Sequence, residues 1–155
     1  MDKVPLTQEG YNNLKKELER LKRVERPANI RAIEEARAHG DLSENAEYAA
    51  AKDRQSFLEG RIGELEHKIA HADVIDIRKL DNSRAMFGSR VLLENIDTGE
   101  DVEYQLVGPD ESNIEKGRIS ISSPLGKAMI GKKPGDALTL QVPGGLRSYE
   151  VIEIR

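Results

Sequence analysis

The stretch Y-A-A-A-K-D-R-Q-S-F-L-E-G-R-I-G-E-L-E-H-K-I-A-H-A, residues 48–72, carries the clearest structural pattern in the chain. Small or apolar side chains recur along it in alternating steps of three and four residues, and glutamate, lysine and arginine occupy many of the other positions. The repeating positions are Tyr48, Ala51, Leu58, Ile62, Leu65, Ile69 and Ala72, with Gln55 as the one polar interruption. This spacing predicts a long α-helix whose heptad seam packs against another helix.

A second helical pattern precedes this one and begins after Thr7, a candidate N-cap residue. Its seam positions are Tyr11, Leu14, Leu18, Leu21, Ile30, Ile33 and Ala36. The phase slips around Pro27. Because proline has no N–H and crowds the preceding turn, we expect a kink or a helix restart there. Two such segments joined by a short turn predict an antiparallel hairpin with arms of roughly 40–45 Å.

The far end of the predicted hairpin is small and acidic. Its seam is rich in alanine, at Ala28, Ala32, Ala46, Ala49, Ala50 and Ala51. Between Glu34 and Glu47 there are five carboxylates against Arg37 alone, a local net charge of −4 in a chain whose total net charge is also −4. The hairpin is therefore predicted to end in a slim, negatively charged tip.

The turn at this tip reads H-G-D-L-S-E-N-A-E-Y, residues 39–48, and its carboxylates leave two interpretations open. Gly40 is suited to ending the first helix, Asp41 to capping the next one, and Glu44 to closing a capping box. Alternatively, Asp41 and Glu44 present two oxygen ligands side by side to a divalent cation such as Mg²⁺. Two exposed carboxylates do not hold Mg²⁺ tightly, so a partner has to supply the other ligands.

Two cations flank the same tip. Arg37 precedes the turn, and Lys52 follows it on the second helix. They are suited to attracting a phosphate backbone without reading its sequence. Ordinary solvated charge on a helix surface explains them equally well.

From about Asp76 onward the helical period gives way to short alternating segments. The predicted strands are Val74–Ile77, Arg90–Asn95, Val102–Val107, Ile119–Ser122, Ala137–Val142 and Tyr149–Ile154, and a short helix is predicted at 124–131. The expected fold class is α+β. It comprises an antiparallel helical hairpin over residues 1–76, a linker at 77–86 and a small antiparallel β domain over 87–155.

The composition excludes several classes of protein. At 155 residues, with 37% apolar and 4% aromatic side chains, the chain suits an elongated helical part joined to a modest globular part. It has no cysteine, which excludes a disulfide framework and a thiolate metal site. No apolar run approaches the roughly 20 residues that cross a bilayer. We expect a soluble cytoplasmic protein that does not act at a membrane.

Other motifs do not form a self-contained active site. The segment G-K-A-M-I-G-K at 126–132 resembles the start of a nucleotide-binding P-loop, but Lys133 and Pro134 follow where that motif requires Ser or Thr and a helix. His67 and His71 lie one helical turn apart with no evident third metal ligand, and a solvated helix face explains them better. The sequence also has no Gly-x-Ser-x-Gly nucleophile elbow.

Several segments together resemble the GreA/GreB family of bacterial transcript cleavage factors. The tip segment A-R-A-H-G-D-L-S-E-N-A-E-Y is joined by L-T-Q-E-G, E-G-R-I, A-D-V-I-D, F-G-S-R-V, I-S-S-P-L-G-K-A-M-I-G-K and P-G-G. The resemblance covers essentially the whole chain. It is nearer to the GreA branch, because GreB usually carries a larger basic patch on the hairpin.

The resemblance implies a hairpin that enters the secondary channel of RNA polymerase and a C-terminal FKBP-like domain that docks outside that channel. It implies that Asp41 and Glu44 help to hold a weakly bound Mg²⁺ of the polymerase active site. The polymerase then hydrolyses the 3′ end of the backtracked nascent RNA, and the factor has no cofactor and no catalytic turnover of its own. A monomer is expected.

The same resemblance assigns three further roles. Arg37 and Lys52 match the basic patch that contacts extruded RNA. Ser122, Ser123 and Pro124 match the polymerase-docking loop, with Ser122 where some members have an acidic residue. Prolyl isomerase activity is not implied, because it needs an aromatic-lined pocket and this half has only Phe87, Tyr104 and Tyr149.

Two alternative functions remain compatible with the sequence. A channel-binding inhibitor of the same shape is expected to slow nucleotide addition without cleaving RNA. A structural coiled-coil adaptor is expected to have no affinity for RNA polymerase.

Overall fold

The computed structural model describes residues 3–41 and 45–155. Its helices are α1 (Gln8–Arg20), α2 (Arg26–Arg37), α3 (Ala46–Ala70) and α4 (Pro124–Met129), with a π-helical segment at Leu21–Glu25. Its strands are β1 (Val4–Thr7), β2 (Ala72–Ile75), β3 (Arg90–Asn95), β4 (Asp101–Val107), β5 (Arg118–Ser120), β6 (Ala137–Val142) and β7 (Gly145–Ile154). The expected α+β class is confirmed.

The internal contacts divide the chain into two compact units. The helical unit contains Tyr11–Ala72, and the β unit contains Lys3–Gly10 together with Asp73–Arg155. The grouping does not follow the linear order of the chain, because the N-terminal strand belongs with the C-terminal part. Among the helices of the described ranges, none has both the length and the apolar composition that a membrane span requires.

The helical unit is an antiparallel hairpin, as the periodicity predicts. Leu21 of the first arm and Leu58, Ile62 and Leu65 of α3 form its buried cluster, with Leu14 and Leu18 packed against it. Arg61 donates to Glu17 at 2.8–3.0 Å, and nearer the turn Asn29 donates to the carbonyl of Ala51 at 3.0 Å. From one contact to the next, the residue numbers increase on the first arm and decrease on the second. The two arms are therefore antiparallel.

The seam departs from the predicted positions beside Pro27. Ile30 is exposed, and Asn29 occupies the buried position instead. The helix widens to a π pattern over Leu21–Glu25, and Pro27 lies in the first turn of α2. Pro27 has no N–H to donate to the preceding turn of the helix. The wider π segment rotates the following residues about the helix axis, so Asn29 rather than Ile30 faces the other arm.

The β unit contains a five-stranded sheet in the order β5-β4-β3-β7-β6. Its β3–β4, β3–β7 and β6–β7 pairs are antiparallel, but β5 pairs with β4 in parallel. The expectation of a purely antiparallel domain is therefore wrong at this edge. The chain between β4 and β5 forms two short 3-10 turns, so it crosses back rather than reversing in a hairpin.

One face of this sheet carries the core of the β unit. The buried cluster contains Ala85, Val91, Leu93, Leu106, Ile119, Met129, Leu138, Tyr149, Val151 and Ile154. Met129 projects from α4 and is fully buried, which anchors that helix on the sheet. Ala85 belongs to the same cluster, so part of the segment 77–86 packs into the core.

Strand β1 was not predicted from the sequence, and a carboxylate holds it in place. It pairs with β2 in a separate two-stranded sheet. Glu111 accepts hydrogen bonds from the backbone N–H of Thr7 at 3.2 Å, from the Thr7 hydroxyl and from Gly108 N at 3.4 Å. The Thr7 hydroxyl oxygen also accepts from Gly10 N at 3.0 Å, which confirms Thr7 as the N-cap of α1.

We expect Glu111→Ala to lower the free energy of unfolding of the β unit by about 1–3 kcal/mol, because Thr7 is buried and loses its acceptor. Glu115→Ala is the matched control, since Glu115 is exposed in the adjacent 3-10 turn. Urea unfolding with amide exchange of Leu6 and Thr7 measures both variants. Equal stability of the two variants would contradict a structural role for Glu111.

Candidate functional site

The tip of the hairpin begins where α2 ends. The last α2 residue is Arg37, and two turn-like hydrogen bonds follow, from His39 N to Ala36 O and from Gly40 N to Arg37 O, both at 3.2 Å. Gly40 has φ of +105°, a backbone conformation that glycine adopts at low cost. The C-cap of α2 is Ala38, in the right-handed helical region, so the predicted glycine lies two residues beyond the cap.

Asn45 organises the other side of the turn. Its Oδ1 accepts from Tyr48 N at 3.0 Å and caps α3, and its Nδ2 donates to the carbonyl of Ala36 at 2.6 Å. One side chain thus satisfies a free N–H at the start of α3 and adds a second donor to the Ala36 carbonyl at the end of α2, which also accepts from His39 N. Asn45 therefore bridges the two helices at the tip.

The predicted N-cap of the second helix, Asp41, is not the N-cap of α3, and the capping-box role of Glu44 lies outside the described residues. Helix α3 begins at Ala46 with Asn45 as its N-cap, which leaves Asp41 four positions too early for that role. The sequence did contain a signal, since asparagine is among the strongest N-cap residues and a helical run follows it directly. The aspartate and glutamate of D-L-S-E, three residues apart, form a competing cap pattern just before it.

Of the two candidate metal-binding carboxylates, only Asp41 belongs to the described residues. Asp41 is exposed at the start of the turn. Glu44 belongs to residues 42–44, outside the described residues, so its distance from Asp41 stays a prediction. Within the described ranges, no group of three or more Asp, Glu or His residues is arranged to hold a metal ion.

The two predicted basic residues lie on different arms. The Arg37 guanidinium is 6.0 Å from the centre of the Tyr48 ring, within the range of a cation–π interaction across the turn. Lys52 donates to Gln55 Oε1 at 2.9 Å along the exposed face of α3. Both cations are exposed, and His39 Nε2 lies 3.8 Å from Glu47 Oε2 beside them.

The predicted docking segment forms the start of α4. Ser123 is the N-cap, with its Oγ accepting from Gly126 N at 3.0 Å and donating to Ser120 O at 2.7 Å. Ser122 N donates to Ser120 Oγ at 3.1 Å, and Pro124 occupies the first turn of the helix. Ser122 and Pro124 are exposed, so this rigid turn presents two side chains to solvent.

An apolar groove lies beside this segment. It has a volume of about 350 Å³, and its lining includes Pro124, Leu125, Ile114, Tyr104 and Tyr149. Burial raises the pKa of Tyr104, with a further contribution from Tyr149. The raised pKa keeps the phenol protonated over a wider pH range, so it remains a hydrogen-bond donor. The groove offers an apolar surface to a partner side chain.

The dual role of Asn45 can be tested with two substitutions. Asn45→Asp keeps an acceptor for Tyr48 N but loses the donor to Ala36, whereas Asn45→Ala loses both. We expect the helical unit to lose about 1 kcal/mol with Asp and about 2 kcal/mol with Ala in thermal unfolding. If both variants unfold as the parent does, the bridge across the turn does not stabilise the tip.

Comparisons with known proteins agree over the whole chain. The family model described as transcription elongation factor, N-terminal, matches residues 4–74, and that of transcription elongation factor, GreA/GreB, C-term, matches residues 80–155. A GreA from Syntrophus aciditrophicus is 56% identical over 99% of this chain and 96% of its own length. One from Thermodesulfovibrio yellowstonii is 55% identical over 99% and 97%.

A solved structure is also similar in sequence. The GreA factor homolog 1 (Gfh1) of Thermus thermophilus is 33% identical, with 99% of each chain covered and a TM-score of 0.45. The two family models together match almost every residue, and the relatives are more than 50% identical along the full length. Both comparisons indicate the same family. The chain belongs to the GreA/GreB family of transcription elongation factors.

Proposed function

We propose that this elongation factor inserts its hairpin tip into the secondary channel of RNA polymerase and stimulates cleavage of backtracked nascent RNA. The factor has no catalytic turnover of its own, and the polymerase active site performs the hydrolysis. The chain acts as a monomer in the bacterial cytoplasm, where the polymerase works. A carboxylate exposed at the turn of a long two-helix hairpin, Asp41, is the observation that carries the proposal.

The chemistry of the tip suits a shared metal site. Carboxylate oxygens are the protein ligands that Mg²⁺ prefers, and Asp41 with Glu44 supplies two of them. Magnesium, when bound, activates a water molecule and stabilises the charge that develops on the phosphate. The chain contributes only part of the ligand set, so the proposal assigns the remaining ligands to the polymerase.

The contacts of Gly40 and Asn45, on either side of the turn, support the positioning of Asp41. The hydrogen bond from Gly40 N to Arg37 O and the Asn45 bridge fix the backbone on both sides of residues 41–44. A ligand held on a fixed backbone loses little conformational entropy when it binds. We propose that this preorganisation lets a tip with few contacts of its own deliver its carboxylates.

We assign Arg37 and Lys52 to the extruded RNA. Both are exposed within the first turns on either side of the tip, where the local charge is otherwise negative. They attract the phosphate backbone without reading bases. We assign docking outside the channel to Ser122, Ser123 and Pro124, whose backbone is fixed by the α4 cap.

The test uses reconstituted polymerase complexes that are halted in the backtracked state, with RNA labelled at its 5′ end. Adding the chain with Mg²⁺ is expected to shorten the RNA from its 3′ end and to restore elongation when nucleotides are supplied. RNA that remains full-length while nucleotide addition slows would instead support the channel-binding inhibitor.

Binding and oligomeric state complete the test. The adaptor alternative gives no association with polymerase in gel filtration. Light scattering of the free factor is expected to give the mass of a single chain. A dimer mass at working concentration would contradict the proposed monomer.

A further inference from the structure

The β unit contains a cleft that neither the tip nor the docking segment uses. Its volume is about 570 Å³, within the range of roughly 300–1,000 Å³ typical of small-molecule sites. Its wall includes the first turn of α1 with Glu9, strand β2 with the residues after it, and strands β3, β4 and β5. All of the lining residues belong to the β unit.

Three arginines line this cleft, and two of them already have carboxylate partners. Arg118 Nη2 lies 2.9 Å from Glu9 Oε1, and Arg78 Nε lies 3.0 Å from Asp76 Oδ1. No carboxylate of the described ranges lies within ion-pair distance of the third arginine, Arg90. The lining therefore has a net positive charge, which is contributed by Arg90.

A shallower depression shares residues with the cleft and adds one lysine and one glutamate to its charged lining. It shares Arg90, Gln105 and Arg118 with the cleft and adds Lys116 and Glu103. Glu103 is 3.5 Å from Arg155, so its charge is already partly compensated. Within the part of the chain that the structure describes, no carboxylate lies within ion-pair distance of Arg90 or Lys116 on this surface.

The pKa of Glu9 reflects the positive electrostatic potential in the cleft. Its pKa is lowered, first by the hydrogen bond and charge of Arg118, and further by Arg90 and Lys116. These cations therefore stabilise a negative group at this point of the surface. Beside them the lining becomes apolar, with Val74, Ile75, Ile77 and Val107.

We propose that this cleft binds a nucleotide, with its phosphates on Arg90 and Arg118 and its base or sugar against the apolar wall. Guanidinium groups match phosphate oxygens in bidentate geometry, and two of them lining one cleft suit a charge of at least −2. Glu9 forms an ion pair with Arg118 when the cleft is empty, and the phosphates replace Glu9 when a nucleotide binds. The inference stands independently of the transcript-cleavage proposal, because it uses none of the same residues.

The placeholder role of Glu9 predicts opposite effects for two substitutions. Arg90→Ala removes the uncompensated cation and is expected to weaken nucleotide binding about tenfold. Glu9→Gln removes the competing charge and is expected to tighten binding about threefold. A site in which Glu9 served only to hold Arg118 in place would instead lose affinity in Glu9→Gln.

The experiment titrates the full chain with ADP, inorganic diphosphate and adenosine in a calorimeter at low salt. We expect ADP to bind at least about fivefold more tightly than diphosphate, and adenosine not to bind. Arg147→Ala is the matched control, since Arg147 is exposed on β7 and does not line the cleft. It is expected to leave the affinity for ADP unchanged.

Each remaining outcome is decisive. Equal affinities for ADP and diphosphate overturn the assignment of the apolar wall to a nucleoside. Absence of ADP binding, or ADP binding that Arg90→Ala does not change, overturns the site. Thermal unfolding of each variant checks its fold, and transcript cleavage by the same preparations shows separately whether the proposed function stands.

Discussion

Asp41→Asn is expected to reduce RNA cleavage in backtracked complexes about 100-fold at saturating factor, while the affinity for polymerase changes less than about twofold. Asparagine keeps the size of the side chain and one oxygen but removes the negative charge that a Mg²⁺ ligand supplies. Because asparagine matches aspartate in size and Asp41 is not the N-cap of α3, we expect the tip to keep its fold, and thermal unfolding of the variant checks this. Cleavage rates at increasing Mg²⁺ measure the effect, and partial rescue is expected at high Mg²⁺.

The matched control is Glu35→Gln, because Glu35 is an exposed α2 carboxylate that precedes the turn. It removes the same charge from the same arm and is expected to leave cleavage within about twofold of the parent. Competition binding with labelled parent factor separates lost docking from lost chemistry. Normal cleavage by Asp41→Asn would exclude Asp41 as a metal ligand, whatever the result for Glu44→Gln.

Gly126→Ala is expected to lower the free energy of unfolding of the β unit by about 2–4 kcal/mol. A Cβ at this position would lie 2.0 Å from Ser120 O, 2.9 Å from Ser120 C and 3.0 Å from Ile121 Cα, all of which are backbone atoms. They cannot move freely, since Ser120 pairs with Val107 in the sheet. Helix α4 would have to shift and withdraw Met129 from the core.

Gly144→Ala provides the control, because a Cβ there meets no atom within 4 Å and the residue has no positive φ. Urea unfolding followed by amide exchange in β3 and β4 compares the two variants. Gly126→Ala is also expected to weaken polymerase binding, since it displaces the turn that presents Ser122 and Pro124. If its stability equals that of Gly144→Ala, the close approach of α4 to Ser120 is not a stabilising contact.

Local patterns predicted most of the secondary structure. The α3 seam from Ala51 to Leu65 is buried where the three-and-four spacing placed it. Strands β3 and β6 have the predicted bounds, and the short helix α4 begins at the predicted Pro124. These elements follow from the period of their apolar residues and from turn residues, and both lie within a few positions along the chain.

The errors lie where distant segments meet. Strand β1 is short and exists because β2 and Glu111, far away in sequence, supply its hydrogen-bond partners. The burial of Asn29 in place of Ile30 depends on the π segment and on a carbonyl of the other arm. The Asn45 bridge likewise needs Ala36 to lie across the turn.

The sequence by itself determined the two-part α+β organisation, the hairpin and the family, because periodicity and motif spacing are local and survive without a structure. Only the tertiary structure decided the parallel β4–β5 edge, the return of β1 to the β unit, the residue that bridges the two helices at the tip and the arginine-lined cleft. These features depend on hydrogen bonds and ion pairs between residues that are distant in sequence, such as Glu9 and Arg118, which are 109 positions apart. Such contacts depend on the distance between residues in space, which their spacing along the chain does not give.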